Sequence, residues 1–379
     1  MNDDILKYWI ALKSIPGVGN VIFPALVDKF GSLPAVFAAS VSQLNEISGI
    51  SRETAKAIAG FNGWDKVKAE LELVAKNDIN IITYHNDLYP EKLLNIYDRP
   101  PYIYVRGNLN KADVNIAIVG SRLASTYGKY TTERISRELA LRGVTIVSGM
   151  ARGIDSSAHR GAISAHGRTI AILGSGLDVI YPPENKKLYA DIVQNGAVIS
   201  EYPLGTPPRS SNFPARNRII SGMSYGVVIV EAGEKSGSLI TARLALEQGR
   251  EVFAVPGSID SAGSRGTNKL IKQGAKLIEN TDDILEEIAP QIEHKTLKPS
   301  VSIQHAQDVS PPNVVRKQAE NLNGPEKIIF DAVLPGRIHI DDLITATGLS
   351  SAELLSSLTP MELKGIIEQH PGKFFSVKK

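Results

Sequence analysis

Residues 213–221 have the sequence FPARNRIIS, which brings one aromatic ring and two guanidinium groups together within six residues. Pro214 suits the first position of a helix, because the N–H that proline lacks would have no partner there. The segments 197–201 and 226–231 are apolar and predict strands on either side. A helix that begins where strands end offers free N–H groups and a positive dipole end, so this segment predicts an anion site.

The side chains of this segment allow two interpretations. In the first, Phe213 stacks on a nucleic-acid base while Arg216 and Arg218 hold phosphates, since an aromatic ring beside cations is a common surface for single strands. In the second, the ring belongs to the core and the arginines pair with carboxylates. The other loops of the chain favour the first interpretation.

The composition limits the kind of protein this is. A chain of 379 residues is long enough for two to four domains, and its net charge of +2 means that a nucleic-acid site has to be a local patch. The absence of cysteine excludes disulfides and thiolate metal sites, and the seven histidines have no metal-ligand spacing. Neither a signal peptide nor a membrane-spanning run is predicted. We therefore expect a cytoplasmic protein with no metal, no other cofactor and no membrane contact.

Short β-branched segments alternate with helical patterns in the centre of the chain, which predicts buried parallel strands joined by helices. The predicted strands are 115–119, 145–148, 169–173, 197–200, 227–231, 252–255 and 276–278. The predicted helices are 130–141, 156–165, 184–193, 239–248 and 268–272. This alternation is typical of an α/β fold with a Rossmann-like, doubly wound, mostly parallel sheet, which binds ligands at the carboxyl ends of its strands.

Several predicted strands lead into loops rich in glycine and serine. Glycine lets backbone N–H groups approach a phosphate, serine donates a hydrogen bond, and arginine can bind an oxyanion with two N–H groups. The residues that fit this description are Gly120, Ser121, Arg122, Arg152, Gly174, Ser175, Gly176, Ser236, Gly237 and Ser238. Some of them are ordinary turn formers, but their occurrence on one sheet edge predicts a phosphate-binding crevice.

The common nucleotide motifs are missing, because no G-x-G-x-x-G follows the first strand and no G-x-x-x-x-G-K-[ST] occurs. Asp155 and His159 are four residues apart and could form an acid–base pair, but Asp155 is more simply a helix N-cap and His159 a packed histidine. Glu201 and Glu231 end strands and could be catalytic or could hold the arginines. No catalytic residue is assigned.

Residues 1–70 predict an all-α domain with an internal repeat. In 15–19 and again in 47–51 an apolar residue precedes a glycine turn, and a helix follows at 21–30 and 54–58. This pattern is typical of a tandem helix-hairpin-helix, whose N–H groups contact DNA phosphates without reading bases. Few basic side chains flank the hairpins, so a helical bundle for packing or partner contact is an equal alternative.

The α/β domain is predicted to span 71–288, and a polar, proline-containing linker to span 289–323. Residues 324–379 predict three helices and a hairpin, which is winged-helix order. The helices are 326–333, 340–347 and 351–364, and the extended segments are 365–369 and 374–377. The would-be recognition helix carries Glu353 and Glu362 and few cations, so protein contact competes with duplex DNA binding.

Several segments together resemble the DNA-processing protein A family, also called DprA or Smf. They are Gly120-Ser121-Arg122, residues 148–159, residues 173–178 with Tyr181-Pro182, and residues 200–221, 231–242, 252–257, 266–268 and 270–275. The resemblance covers roughly residues 88–278, and the flanking domains resemble three-part members less specifically. It implies a domain that binds single-stranded DNA, forms homodimers and loads RecA recombinase onto incoming DNA during natural transformation. It implies no catalytic activity.

By this resemblance, Arg122, Phe213, Arg216 and Arg218 belong to the DNA pocket, and Lys269 and the Ser236-Gly237-Ser238 loop lie nearby. Arg209 is the candidate for a basic residue that family members often have ahead of the Phe-Pro pair, although Ser210 and Ser211 intervene. Asn217 and the glycine–serine loop residues complete the predicted DNA-binding set. The residues implied in the dimer contact are Leu270, Ile271, Ala275, Leu277 and Ile278.

Two other classes of protein stay open. Nucleoside-monophosphate phosphoribohydrolases have a similar Rossmann-like fold, and Glu231 with the following Gly-Ser loop could belong to such an enzyme. Their Pro-Gly-Gly-x-Gly-Thr loop is absent here. The other alternative is an adaptor that meets partners through its terminal domains.

Overall fold

The computed structural model describes residues 3–292, 322, 324–334, 338–364, 366–370 and 373–377. They form two compact units, Met1–Ser302 and Ile303–Lys379. Most of the predicted linker 289–323, namely 293–321 and 323, lies outside the described residues. Residues 289–292, the first four of the predicted linker, belong instead to a helix that ends at Ile292.

The first unit begins with helices, as the sequence predicts. They are α1 (Asp3–Ser14), α2 (Ile22–Phe30), α3 (Leu33–Ala38), α4 (Val41–Asn45), α5 (Arg52–Ala59) and α6 (Trp64–Lys76). Gly17 and Gly49, with φ of 90° and 88°, form the two predicted turns. The rings of Trp9 and Phe23 stack with 5.2 Å between centroids, and their core continues to Tyr102 of the sheet. The helices therefore pack on the sheet within one unit.

A mostly parallel sheet forms the centre of the first unit, and the structure describes nine strands in it. In spatial order they are β1 (Asn80–Thr83), β2 (Tyr102–Gly107), β6 (Gly196–Ser200), β5 (Thr169–Ile172), β4 (Val144–Ser148), β3 (Val114–Val119), β7 (Gly226–Ile229), β8 (Glu251–Ala254) and β9 (Lys276–Leu277). Only the pairs β1–β2 and β2–β6 are antiparallel among them. The strand order reverses between β3 and β7, which is where doubly wound sheets bind ligands.

Helices cover both faces of this sheet. They are α7 (Glu91–Leu94), α8 (Thr126–Leu141), α9 (Ile154–Ser164), α10 (Lys186–Asn195), α11 (Asn212–Gly222), α12 (Ser238–Glu247), α13 (Arg265–Lys272) and α14 (Asp282–Ile292). Along β3, Ala117 belongs to the core that includes residues of α11 and α12, and Ile116 to the core that includes residues of α8, α9 and α14. Because alternate side chains of a strand point to opposite faces, the doubly wound prediction is confirmed. No helix in the described ranges is long and apolar enough to cross a membrane.

The second unit has the predicted order of three helices and a hairpin. Its elements are α15 (Pro325–Val333), β10 (Ile338–His339), α16 (Ile340–Thr347), α17 (Ser351–Leu363), β11 (Ile367–His370) and β12 (Phe374–Val377). β12 pairs antiparallel with both β10 and β11, and β10 was not predicted. Phe330, Leu343, Leu354 and Phe375 share the core of this unit. This is the winged-helix order.

Two details of the helix starts differ from the prediction. The N-cap of α9 is Gly153, so Asp155 lies inside the first turn, where its Oδ2 accepts a hydrogen bond from the Ala151 N–H at 3.3 Å. α11 begins at Asn212, so Pro214 is the third residue of that helix and not the first. In both helices the loop geometry sets the start earlier than the capping pattern indicates.

Candidate nucleic-acid interface

An open crevice of about 810 Å³ lies at the switch point between β3 and β7. Its walls include the loops after these two strands and the first turns of α11 and α12. The residues that line this strand-end crevice include Gly120, Ser121, Arg122, Leu123, Asp155, Tyr181, Phe213, Arg216, Asn217, Ser236, Gly237 and Ser238. Most of the predicted DNA-binding residues therefore meet at one place.

Phe213 is a half-buried ring between two other side chains. The guanidinium carbon of Arg122 lies 5.2 Å from its centroid, which is cation–π distance. The ring of Tyr181 lies 5.6 Å away at an angle of 44°. Gly174 makes room for this arrangement, since a Cβ at that position would be 3.2 Å from the Cδ1 atom of Phe213. The two rings form an aromatic surface at the edge of the crevice.

Arg216 supplies a fixed positive charge in the crevice. Only 3% of its surface is exposed, and its Nη1 donates to the Ile172 carbonyl at 2.6 Å. Burial lowers the pKa of Arg216 to about 10, against the opposing effect of Asp155, so the group stays charged at neutral pH. The guanidinium lies against Gly149, where a Cβ would be 1.7 Å from Nη1. Among the residues that the structure describes, its Nε has no hydrogen-bond partner.

The acidic and imidazole groups near the crevice are engaged in structural contacts. Burial raises the pKa of Asp155, while the charge of Arg216 lowers it. His159 is fully buried, and its Nδ1 shares a hydrogen bond with Thr169 Oγ1 at 2.7 Å. Burial lowers the pKa of His159 to about 3. His159 is thus a packed, neutral histidine and does not form an acid–base pair with Asp155.

Glu231 supports the loop after β3 and the start of α8. Its carboxylate accepts hydrogen bonds from the Ser125 N–H at 3.1 Å and from the Ser125 hydroxyl at 2.7 Å, and its backbone carbonyl accepts one from the Ser121 N–H at 2.7 Å. On the opposite rim, the hydroxyls of Ser236 and Ser238 share a hydrogen bond of 2.8 Å. Glu231 therefore positions a phosphate-type loop, and its carboxylate is occupied by that contact.

Arg218 does not line the crevice. Its guanidinium pairs with Glu201 and, at 3.1 Å, with Asp98, and only 8% of the residue is exposed. It faces the junction between the N-terminal helices and the sheet. For this residue the structure agrees with the second interpretation of the segment, in which arginines pair with carboxylates.

Five other members of the predicted set lie outside the crevice or beside it. Arg152 borders a small neighbouring pocket, and its Nη2 donates to Glu184 Oε2 at 3.2 Å. Ser175 is buried and donates to the Val179 carbonyl at 2.8 Å, which makes it a turn residue. The remaining ones do not line the crevice: Gly176, Arg209 and Lys269.

The prediction missed Tyr181 and Leu123. Tyr181 is 36% exposed and Leu123 is 91% exposed, and both line the crevice. Tyr181 precedes Pro182 a few residues after the Gly174-Ser175-Gly176 loop, so an aromatic residue close to a phosphate-type loop was the available signal. Leu123 directly follows the Gly120-Ser121-Arg122 motif.

The predicted dimer residues lie at one edge of the sheet. Leu277 is 42% exposed on β9, which is the last described strand on its side. Leu270, Ile271 and Ala275 are partly buried. Ile278 is fully buried in the core, and a side chain without exposed surface cannot contact a second subunit.

The described residues contain no group of three or more acidic or histidine side chains that could hold a metal ion. The crevice instead combines a fixed cation, an aromatic pair and glycine–serine loops, while Asp155, His159 and Glu231 make contacts that support the fold. This combination is typical of proteins that bind nucleic acid by phosphate contact and base stacking.

The chain belongs to the DNA recombination-mediator protein A family, whose model matches residues 80–289. Two further family models match its flanks, namely a SAM-like helix-hairpin-helix tandem over residues 10–59 and the DprA winged-helix domain over residues 315–373. Members of this family are DNA-processing proteins that mediate recombination and are not enzymes. The phosphoribohydrolase alternative is therefore set aside.

Relatives with similar sequence or structure agree with this assignment. Protein Smf from Synechocystis is 34% identical, over 96% of this chain and 97% of its own length. DNA processing protein A from Streptococcus pneumoniae has a similar structure, with a TM-score of 0.67 and 36% identity over 74% of this chain and 97% of that one. The Helicobacter pylori protein, solved for its single-stranded DNA binding mode, has a TM-score of 0.51 and 33% identity over 56% of this chain and 96% of that one.

Proposed function

We propose that the strand-end crevice binds single-stranded DNA. The observation that carries the proposal is the cluster of Arg122, Phe213 and Tyr181 beside the buried charge of Arg216. A base can stack on the exposed part of the aromatic pair, and the backbone phosphates can lie along the cations and the loop N–H groups. The Helicobacter pylori relative, solved for its single-stranded DNA binding mode, supports this proposal.

The two arginines have different tasks in this proposal. Arg122 is exposed and has no ion pair with a described carboxylate, so it can move onto a phosphate. Arg216 is held by the Ile172 carbonyl and acts through its charge and its remaining N–H groups. Because stacking is possible with any base, binding should depend little on sequence.

For the wider role, we propose that the protein forms a homodimer and loads RecA recombinase onto incoming DNA in the cytoplasm during natural transformation. Support for the dimer comes from the edge strand β9 with exposed Leu277 and from the adjoining Leu270, Ile271 and Ala275. An unpaired strand edge with apolar neighbours is a ready surface for a second copy. Light scattering that gives a monomer at micromolar concentration would overturn this part.

We also propose the division into a helical domain at 1–70, the α/β domain at 71–288, a linker at 289–323 and a winged-helix domain at 324–379. Helix α17 contains no lysine or arginine and carries Glu353 and Glu362. A recognition helix of this charge would repel phosphates, so the winged-helix unit is proposed to contact protein. Removal of residues 321–379 should leave single-strand binding intact.

The test is fluorescence anisotropy with labelled single-stranded and double-stranded oligonucleotides at two salt concentrations. We expect tighter binding of the single strand and weaker binding at high salt, because phosphate contacts release counterions. Equal binding of both forms, or no salt dependence, would contradict the proposed crevice.

A further inference from the structure

A second cleft, of about 400 Å³, lies on the other side of α11, where the N-terminal helices meet the sheet. Lys13 and Asn20 line it from the helical side, and Tyr202 and Arg218 line it from the sheet side. We propose that this junction cleft is a second nucleotide subsite, which takes the DNA strand where it leaves the strand-end crevice. The inference rests on the proposed function of the crevice.

The polar wall of the junction cleft suits a phosphate. Lys13 Nζ donates to Asn20 Oδ1, and Asn20 Nδ2 donates to Glu201 Oε2 at 3.4 Å. The two cationic lining residues, Lys13 and Arg218, are balanced by Glu201 of the lining and by Asp98, which also pairs with Arg218. Lys13 is the cation that has no ion pair with a described carboxylate, so it is the one available to a phosphate. An ammonium group has three donors, and the contact of Lys13 with Asn20 uses one of them.

A helix N-terminus adds to this wall, and one of the lining residues has a buried donor without a partner in the described part of the chain. α2 begins next to Asn20, and no side chain caps its first turn, so its positive dipole end is directed toward this region. The guanidinium of Arg218 pairs through Nε and Nη2, while its Nη1 is fully buried and has no hydrogen-bond partner among the described residues. The remaining lining is largely apolar, and it includes the partly exposed ring of Tyr202, which provides surface for a base.

The crevice and the cleft share one wall, so one strand can occupy both. Along α11, Arg216 and Asn217 line the crevice, whereas Ala215 and Arg218 line the cleft. The loop 202–211 also borders both sites, because Pro203 lines the junction cleft and Pro208 lines the strand-end crevice.

This loop is fixed on both sides. The Leu204 N–H donates to Glu70 Oε1 of α6 at 3.0 Å, and the Gly205 N–H donates to Asp178 Oδ1 at 2.8 Å. A strand that crosses the loop at the start of α11 therefore lies on a preformed surface, which reduces the ordering cost of binding.

Oligonucleotide length separates the two sites. We would measure the affinity of the full chain for oligothymidine of about 5 and about 15 nucleotides, within the range that single-strand sites cover. Lys13→Gln should weaken binding of the longer strand roughly fivefold and reduce its salt slope by about 0.7, while the shorter strand binds as before. Lys66→Gln is the matched control, because Lys66 is exposed on α6 and does not line the cleft.

A second variant covers the case in which Lys13→Gln disturbs folding. Ser14 is exposed and lines the cleft, so Ser14→Glu adds a negative charge there and should also weaken only the longer strand. Equal affinity of the Lys13→Gln, Ser14→Glu and Lys66→Gln proteins for the longer strand would overturn the subsite. So would an equal loss for both lengths, since that indicates an effect on the crevice. Failure of the crevice itself appears separately, as unchanged binding of the shorter strand by Phe213→Ala.

Discussion

Arg216 and Arg218 lie two residues apart in α11, yet they serve different parts of the molecule. Arg216 lines the strand-end crevice and donates to a backbone carbonyl, whereas Arg218 lies at the helical junction and pairs with Glu201 and Asp98. At 3.6 residues per turn, positions two apart point to roughly opposite sides of a helix. The comparison shows that two charges close together in the sequence can be divided between an open crevice and a buried ion pair.

The largest expected effect is on the fold side of this comparison. Arg218→Ala leaves Glu201 buried without its main partner, and loss of one member of a buried ion pair costs roughly 3–5 kcal/mol in the free energy of unfolding. Urea unfolding measures this loss. Binding of a short oligonucleotide by the folded variant should stay unchanged, because the crevice is on the opposite side of α11.

The double variant Arg218→Met with Glu201→Met is the control. Replacing both charges with apolar side chains removes the uncompensated group, so most of the lost stability should return. If the single variant is as stable as the parent protein, the pair does not support the fold and the contrast between the two arginines fails.

The second effect concerns acid stability on the crevice side. The pKa of His159 is lowered to about 3 by burial, with smaller effects from Arg216 and Arg160. Between pH 6.5 and 3 the unfolded chain binds a proton that the folded chain does not. His159 therefore does not lower the free energy of unfolding above pH 6.5. Below that value it lowers this free energy by about 1.4 kcal/mol for each pH unit.

His159→Gln removes the titrating group, so the difference in unfolding free energy between pH 7 and about pH 5 should become smaller by about 2 kcal/mol. Urea titrations of both proteins at the two pH values give this number. An unchanged pH profile would mean that another group causes the acid sensitivity.

The third effect separates binding from stability in the crevice. Phe213→Ala removes the proposed stacking surface and should cost roughly 1–3 kcal/mol in binding free energy, with the salt slope nearly unchanged. Its melting temperature should change little, because the ring is only half buried. Leu246→Ala, at an exposed position of α12 outside the crevice, is the matched control. A fall in melting temperature together with affinity would identify Phe213 as a core residue.

The smallest effect is that of a single phosphate contact. Arg122→Ala should reduce the slope of log K against log salt by about 0.7 and weaken binding to every sequence alike. Arg137→Ala, which removes an exposed charge on α8, should leave the slope as it is. Anisotropy titrations at several salt concentrations give the slope for each variant. Equal slopes for the two variants would mean that Arg122 does not contact a phosphate.

Much of the fold follows from local sequence patterns. The β-branched runs predict β3 to β9 to within two residues at each end, because buried parallel strands need continuous apolar side chains. Glycine–serine loops at strand ends likewise predict the position of the crevice. These features depend on neighbours in the chain.

The residues that the sequence misplaces depend on contacts between distant segments. The rotation of α11 is fixed by the hydrogen bond from Asn212 Nδ2 to the Gly174 carbonyl at 2.9 Å, and the position of Glu201 at the end of β6 decides that Arg218 is paired. Ile278 follows the edge strand β9, but its side chain is covered in the core that includes α14 residues. None of these contacts has a local signal in the sequence.

Because Arg216 lies so close to Gly149, the substitutions allowed at these two positions depend on each other, although they are far apart in the chain. A methyl group at position 149 would overlap the guanidinium. A larger residue at position 149 therefore requires that position 216 already has a shorter side chain. A shorter residue at 216 would in turn leave a space that a larger residue at 149 could fill. During divergence of this protein we therefore expect position 149 to accept a larger residue only after position 216 has become shorter, which makes Gly149 a marker for the presence of this arginine.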